Sequence, residues 1–383
     1  MNIMATTLGL EEELQTVSPL TLDLVPHNLE AGKTAIPDKD GGSSGEIHYC
    51  VLEVQTPVCD SVDGLIARLA ALRGIAAARA DLQGQRVLAA GLHPFADWRR
   101  QLLREDPERY PYYVALLEEY ADASRGAMSF GLHLHFGMPA PERRIAVMNL
   151  LRETIPEALA LSASSPFCEG RDSGMQTWRH ALLDRFPRMG TPEVWPDEAS
   201  YLNHIARLRA LGVLAPNQGM WEDLRLHHVY HTLEVRICDA TPSLEHVWLI
   251  AAMLQCEVET LDREVAAGTA PAPLGRACIE ENRWRARRHG PAGSFVDWRR
   301  DELVAGPERY RRLLERWAPV ASDLGLLSRM ELAMSAVFSS GTSADQQRRV
   351  FSSAGSLEAV VHSLIRATAA PLPLYMLPEG GSL

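Results

Sequence analysis

Apolar and polar positions alternate with period two in several stretches of this chain and with helical period through most of the rest. Residues 6–25 read as a strand, a proline turn and a second short strand. Residues 47–57 (I-H-Y-C-V-L-E-V-Q-T-P), 86–92 and 127–137 read as further strands, and 229–238 alternates again. Helical spacing covers 60–83, where Asp60 or Ser61 serves as N-cap, and 107–124, with Pro107 in the first turn. It returns at 141–163, 198–212 and 243–267, the last strongly amphipathic and capped by Ser243. The Arg-rich segments 276–289 and 299–317 read as helices with a solvated face, and the C-terminal third as mostly helical with a frayed last dozen residues. D-K-D-G-G-S-S-G-E at 38–46 reads as a flexible loop. No internal repeat is present. The strands lie in the first 240 residues between helices of uneven length. That is not the regular rhythm of a doubly wound sheet, and it predicts an α+β body built on a mostly antiparallel sheet.

Composition narrows the chemistry. At 383 residues and 46% hydrophobic content the chain can bury a large core, which excludes a disordered protein. A net charge of −11 argues against nucleic acid as a partner. Among 38 basic residues only Lys33 and Lys39 are lysines, both in a polar, Gly-rich stretch. A Schiff-base, P-loop or kinase-type lysine is thereby disfavoured, so phosphate would be handled by arginine and metal. No apolar run reaches the roughly 18–20 residues that span a bilayer, so no membrane partner is expected. No basic residue precedes Lys33 and three glutamates run from Glu11 to Glu13, unlike a signal or transit peptide. The six cysteines (50, 59, 168, 238, 256 and 278) show no C-x-x-C spacing and read as free thiols of a cytoplasmic protein.

Three tempting motifs fail on context. A-G-K-T at 31–34 ends like a phosphate-binding loop, but His27 stands where its first glycine belongs. G-G-S-S-G at 41–45 has no apolar strand feeding it, as a nucleophile elbow requires. His227 and His231 are four apart, yet the local alternation says strand and no H-E-x-x-H is present.

The strands themselves carry costlier residues. Glu11 and Glu13 share one face of the first strand, Glu53 interrupts V-L-E-V-Q-T, His133 and His135 share a face of F-G-L-H-L-H-F-G, and Glu234 and Arg236 share a face of T-L-E-V-R-I-C. Each has a bland reading: a solvated edge, satisfied core histidines, a cross-strand ion pair. Together they are expensive to bury unless paired or metal-bound, and carboxylates with some imidazole suit Mg²⁺ or Mn²⁺. Glu46 precedes Glu53 by seven residues, which sets them on opposite faces of a straight strand. Either Glu46 lies in the loop after Gly45 or a bulge restores the face.

These residues sit in segments that resemble the bacterial carboxylate–amine ligases, also called glutamate–cysteine ligase family 2, among the glutamine synthetase-like ligases. In order they are G-L-E-E-E-L (9–14), E-x6-E-V-Q-T (46–56), G-L-H-P-F-x-x-W (91–98), E-R-Y (108–110), G-L-H-L-H-F-G (131–137), A-L-S-A-S-S-P-F with G-R-D-S-G (160–174), T-L-E-V-R-I-C-D-A (232–240) and E-N-R-W-R-A-R-R-H-G (281–290). The resemblance implies one large catalytic domain over 1–383, its part from about 243 to 375 mostly helical, around a sheet curved into a funnel. ATP would enter one end and the amino-acid substrates the other. It implies Glu11, Glu13, Glu46, Glu53, His133 and Glu234 as ligands of Mg²⁺ or Mn²⁺, with His135 shaping the site. Arg236 would reach the transferring phosphoryl group, Arg225 would do the same or hold a substrate carboxylate, and Arg179 would contact substrate or nucleotide. The implied reaction joins a small carboxylate, such as glutamate, to an amine through an acyl phosphate, in a homo-oligomer, a dimer.

The chain departs from the family pattern around the expected acceptor pocket. The family's R-P-x-P, two residues and G-T before E-V-R are here Arg225-Leu226-His227-His228-Val229-Tyr230-His231-Thr232, and the usual Thr before His-Pro is Leu92. The substrate pair is therefore expected to differ from glutamate with cysteine. Three alternatives remain from sequence: a guanidino-kinase-like phosphotransferase on the same fold, a Mg²⁺-dependent hydrolase, and a binding protein with a decayed site.

Overall fold

The computed structural model describes residues 6–27, 41–215, 218–227 and 229–370. The A-G-K-T stretch, both lysines, His228 and the last dozen residues lie outside them. The strands are β1 (Thr7–Val17), β2 (Gly42–Gly45), β3 (Val51–Gln55), β4 (Arg86–Leu88), β5 (Gly131–Gly137), β6 (Phe167–Cys168), β7 (Arg171–Asp172), β8 (Leu224–Leu226), β9 (Leu233–Asp239), β10 (Ser294–Asp297) and β11 (Glu302–Ala305). The helices are α1 (Val62–Leu82), α2 (Pro111–Tyr120), α3 (Asp122–Arg125), α4 (Arg144–Leu151), α5 (Ile155–Ser162), α6 (Arg179–Leu183), α7 (Glu198–Ala210), α8 (Leu244–Ala267), α9 (Arg276–His289), α10 (Gly306–Asp323), α11 (Leu327–Ser340), α12 (Ser343–Ala354) and α13 (Leu357–Thr368).

One antiparallel sheet runs β2-β3-β1-β5-β9-β8 in space, with β4 pairing the end of β1. It does not close, and the α+β class expected from the pattern is the class observed. β1 shows why this sequence makes a two-faced sheet. Leu8, Leu10, Glu12 and Leu14 are fully buried toward the helices, while Gly9, Glu11 and Glu13 take the opposite face. Glu12 is the exception in chemistry on its apolar face. Arg73 of α1 grips it with two hydrogen bonds of 2.7 and 2.6 Å and spends its other donors on the carbonyls of Thr241 and Pro242.

Helix α8 is the central post of the core. Every residue from Leu244 to Leu261 except Glu245 is buried, and the helix packs against α1, α4, α5, α10 and α11. Ser243 caps its start by accepting the His246 N–H, and Gly268 at φ +67° ends it where an L side chain would be strained. One continuous hydrophobic cluster reaches from Leu8 to Leu364. Among the described residues no helix is long and apolar enough to cross a membrane.

Several boundaries differ from the sequence reading for identifiable reasons. Ser61, not Asp60, caps α1. The strand expected at 86–92 is only β4. The helix expected from 107 begins at Pro111, because Asp106 folds the preceding residues into a turn by accepting the N–H groups of Glu108 and Arg109. The helix expected over 141–163 is α4 and α5, broken before Pro156, which lacks the N–H a continuous helix needs. Part of the 38–46 loop is the edge strand β2. The strand expected at 229–238 starts only at Leu233, after a turn. Within the supposed Arg-rich helix at 299–317, residues up to Ala305 belong to the β10–β11 hairpin, whose turn holds Asp301 at φ +52°.

Candidate active site

Strand register assembles the site. On the polar face, Ser44 of β2 lies opposite Glu53 of β3, and Glu53 opposite Glu13 of β1. Two residues along β1, Glu11 faces His133 of β5. His135 faces Glu234 of β9, and Glu234 faces Arg225 of β8. Because side chains alternate, these pairs project together from one side of the sheet. Glu46 follows β2 directly, in the position after Gly45 that the spacing argument allowed. It turns in so that Glu13, Glu46 and Glu53 each bring an oxygen within 4.8 Å of the others. A second group, within the same limit, is Glu11, His135 and Glu234.

Electrostatics set the two groups apart. Burial, with Glu53 and Glu13 as like-charged neighbours, pushes Glu46 well above the usual carboxylate range. Burial also pushes Glu53 up to about 8, reinforced by Glu11 and Glu13 and opposed by hydrogen bonds from Ser44 and Gln55. Three carboxylates in one place invite a divalent cation, which removes their repulsion. In the second group burial again disfavours charge, but the facing imidazoles of His133 and His135 hold Glu11 below the carboxylate range, and Arg236 and Arg225 hold Glu234 well below it. Burial and the Arg236 charge lower His133, against the pull of Glu11. His135 Nδ1 meets Thr232 Oγ1 at 2.9 Å, while the Nε2 atoms of His133 and His135 are buried without a hydrogen-bond partner among the described residues. The His135 nitrogen, 3.6 Å from Glu11 Oε1, fits metal ligation, whereas His133 belongs to neither group and meets Glu11 through Nδ1 at 3.5 Å.

The arginines divide by role. Arg236 bonds Glu234 and approaches His133 Nδ1 at 3.4 Å, and its charge also acts on Glu11, Glu13 and Glu46. Arg225 is spent on protein: two hydrogen bonds of 2.6 and 3.1 Å to Glu234 and one of 2.6 Å to the Met220 carbonyl. It holds Glu234 in place rather than facing the open site. Arg179, at the start of α6, is buried; its Nη1 lies 3.5 Å from the Arg236 carbonyl and its Nε lacks a partner among the described residues. Gly131 makes this crowding possible, since a Cβ there would stand 2.4 Å from Arg179 Nη2 and 2.9 Å from His133 Nε2.

A cavity of about 190 Å³ opens beside the three-carboxylate group, lined among others by Glu13, Glu46, His133, Arg179, Arg236, Tyr112, Phe186 and Trp221. The aromatic wall was not foreseen, because α2, the 183–189 segment and Trp221 meet only in three dimensions. Gln55 was foreseeable, lying two residues from Glu53 on the same strand face. His227 and His231 do not share a helix face. They flank the turn between β8 and β9, where His227 stacks on Tyr230 with ring centres 4.4 Å apart.

The family model for glutamate–cysteine ligase family 2 matches residues 7–363. The chain belongs to that family. A protein of Herpetosiphon aurantiacus provisionally named glutamate–cysteine ligase 2 is 34% identical over 373 residues, 96% of this chain and 94% of that one. One of Sorangium cellulosum with the same provisional name is 35% identical over 365 residues, 94% and 95% of the two chains. Among solved structures, the glutamate–cysteine ligase of Francisella tularensis in complex with AMP gives a TM-score of 0.69 at 13% identity, covering 98% of this chain and 91% of its own. A bifunctional glutathione synthetase from Pasteurella multocida gives 0.68 at 15% identity, covering 96% and 52%. At those identities the structural likeness speaks to the fold, and family membership makes this chain a ligase. In this family-2 ligase the segment that departs from the family pattern, 226–231, surrounds the turn between β8 and β9, next to His135.

Proposed function

We propose that the chain is an ATP-dependent carboxylate–amine ligase that forms an amide through an acyl phosphate and releases ADP and phosphate. The observation that carries this reading is the pair of ligand groups on one sheet face with the Arg236 guanidinium beside both. Glu13, Glu46 and Glu53 would hold one Mg²⁺ or Mn²⁺. Glu11 and Glu234 would hold another with an imidazole, either His133, as the resemblance implies, or His135, whose nitrogen lies in their group. Ions bound there supply positive charge against the nucleotide phosphates.

The substrate carboxylate, such as that of glutamate, attacks the γ-phosphorus of ATP, and the bond to the bridging oxygen breaks as ADP leaves. Arg236 faces the charge that builds on the transferring group. Arg225 keeps Glu234 ionised and oriented. The amine nitrogen then attacks the acyl carbon, the bond to phosphate breaks, and the amine loses a proton. The residues mainly position reactants and neutralise charge. The same reading makes the enzyme a cytoplasmic homodimer with one catalytic domain; light scattering on purified protein tests the dimer.

The decisive assay supplies ATP, Mg²⁺ and pooled carboxylates and amines, and follows ADP, phosphate and amide. ADP and phosphate that require both pools establish the ligase. Phosphate retained on a substrate would instead make it a phosphotransferase, and failure to bind ATP would sink the reading.

A further inference from the structure

The cavity beside the three-carboxylate group is lined by unlike residues. Arg179 is only 4% exposed, and its Nε has no hydrogen-bond partner among the described residues. Its acidic neighbour Asp239 is already taken by Ser164 N, Ser165 Oγ and Thr177 Oγ1 at 3.0, 2.7 and 2.9 Å. The other arginine of that floor, Arg283, is committed to Asp223 and Asp184 at 2.7 and 2.8 Å. Arg179 thus feels the Asp239 charge but keeps a donor, Nε, that no hydrogen-bond acceptor among the described residues fills. Another part of the lining is aromatic. Phe186 and Trp221 meet edge-on at 5.6 Å and each packs against Tyr120, at 5.5 and 5.4 Å, which fixes both rings. Tyr112 and Leu116 of α2 face the same space.

We propose that the amine acceptor is an α-amino acid with an aromatic or bulky aliphatic side chain, its carboxylate on Arg179 and its body against the Phe186–Trp221 wall. This rests on the ligase reading above. At about 190 Å³ the space exceeds the roughly 150 Å³ of an apolar cavity that holds benzene. A zwitterion fits the charges. Its carboxylate meets Arg179, and its amino group lies toward the Glu13 and Glu46 carboxyl groups that line the same cavity. A small polar acceptor would leave the wall uncovered.

The test separates acceptor choice from ligase chemistry. Hydroxylamine, a small nucleophile that needs no such seat, intercepts an acyl phosphate as a hydroxamate. With ATP, Mg²⁺ and a carboxylate pool containing glutamate, hydroxamate and ADP are expected. With amines in place of hydroxylamine, the best of phenylalanine, tryptophan and leucine is expected to exceed glycine and cysteine in kcat/KM by roughly tenfold or more. Phenethylamine, lacking the carboxylate, is expected to fall behind phenylalanine. Trp221→Ala should raise KM for phenylalanine more than for glycine, and Arg179→Ala should erase the advantage of phenylalanine over phenethylamine. Hydroxamate formation with glycine or cysteine as the equal or better acceptor overturns the acceptor assignment and leaves the ligase standing. So does hydroxamate made from phenylalanine itself, which would then be the carboxylate donor. No ADP and no hydroxamate from any pool removes the ligase reading and this inference with it.

Discussion

Glu53 is a buried carboxyl that both a proton and a cation can satisfy. Its folded-state pKa, about 8, lies above the usual 4.5, chiefly because of burial. Between those values the folded protein binds the extra proton, so the group's contribution to metal-free stability is full below the unfolded pKa and is lost as pH rises through about 8. Melting curves in EDTA are therefore expected to show wild type losing ground to Glu53→Gln as pH rises across that window. Parallel curves would mean that the carboxyl is not raised. With Mg²⁺ the order should reverse at high pH, because only the wild type supplies the full acidic group, and the variant should lose at least the roughly 10–100-fold in metal affinity or turnover that losing a mere supporting partner of a ligand costs. Gly131 gives a second test at this scale. Gly131→Ala places a methyl against Arg179 and His133, so turnover should fall by about tenfold or more, as displacement of a positioned group does, with little change in Tm. A large loss of Tm instead would make the glycine a folding residue.

At the scale of elements, β1 sends ligands to one face and a buried ion pair to the other. Glu12 and Arg73 are both almost wholly enclosed. Removing one partner strands a charge, so Glu12→Leu is expected to cost about 3–5 kcal/mol in denaturant unfolding, and Glu12→Leu with Arg73→Met much less. Equal losses would show that Arg73 matters through the Thr241 and Pro242 carbonyls instead. Alternation in the sequence exposed β1, β3, β5 and β9, and with them Glu11, Glu13, Glu53, His133 and Glu234, because a charged residue in an apolar strand is conspicuous. It did not show that Glu12 would find Arg73, a pairing that depends on how α1 crosses the sheet. Nor did it reveal the β10–β11 hairpin, where three charges in W-R-R-D mask the alternation of only four residues per strand. Arg225 came into view only through the family resemblance, and only the β8–β9 register shows that it serves Glu234.

Across the whole molecule, the candidate ligands come from residues 11 to 234 and from strands at both halves of the sheet, so a ligand bridging the two groups ties those strands together. Anything that binds only the folded state stabilises it by mass action, by about 2.7 kcal/mol at a hundred times its Kd. Mg²⁺ with ATP should thus raise Tm by a few degrees, and EDTA should abolish the rise. The location of the effect is more telling than its size. The ligand groups involve β1, β3, β5 and β9, whereas α13 packs on α12 and β4, and α12 bonds the Ala163–Ser164 segment and Asp172, none of them a candidate ligand. Amide hydrogen exchange is therefore expected to slow most in the four strands on nucleotide binding and least in α12 and α13. Uniform slowing would show that the molecule opens only as a unit. Protection confined to one ligand group would show that the nucleotide does not bridge the two, and would put the assignment of the other group in question.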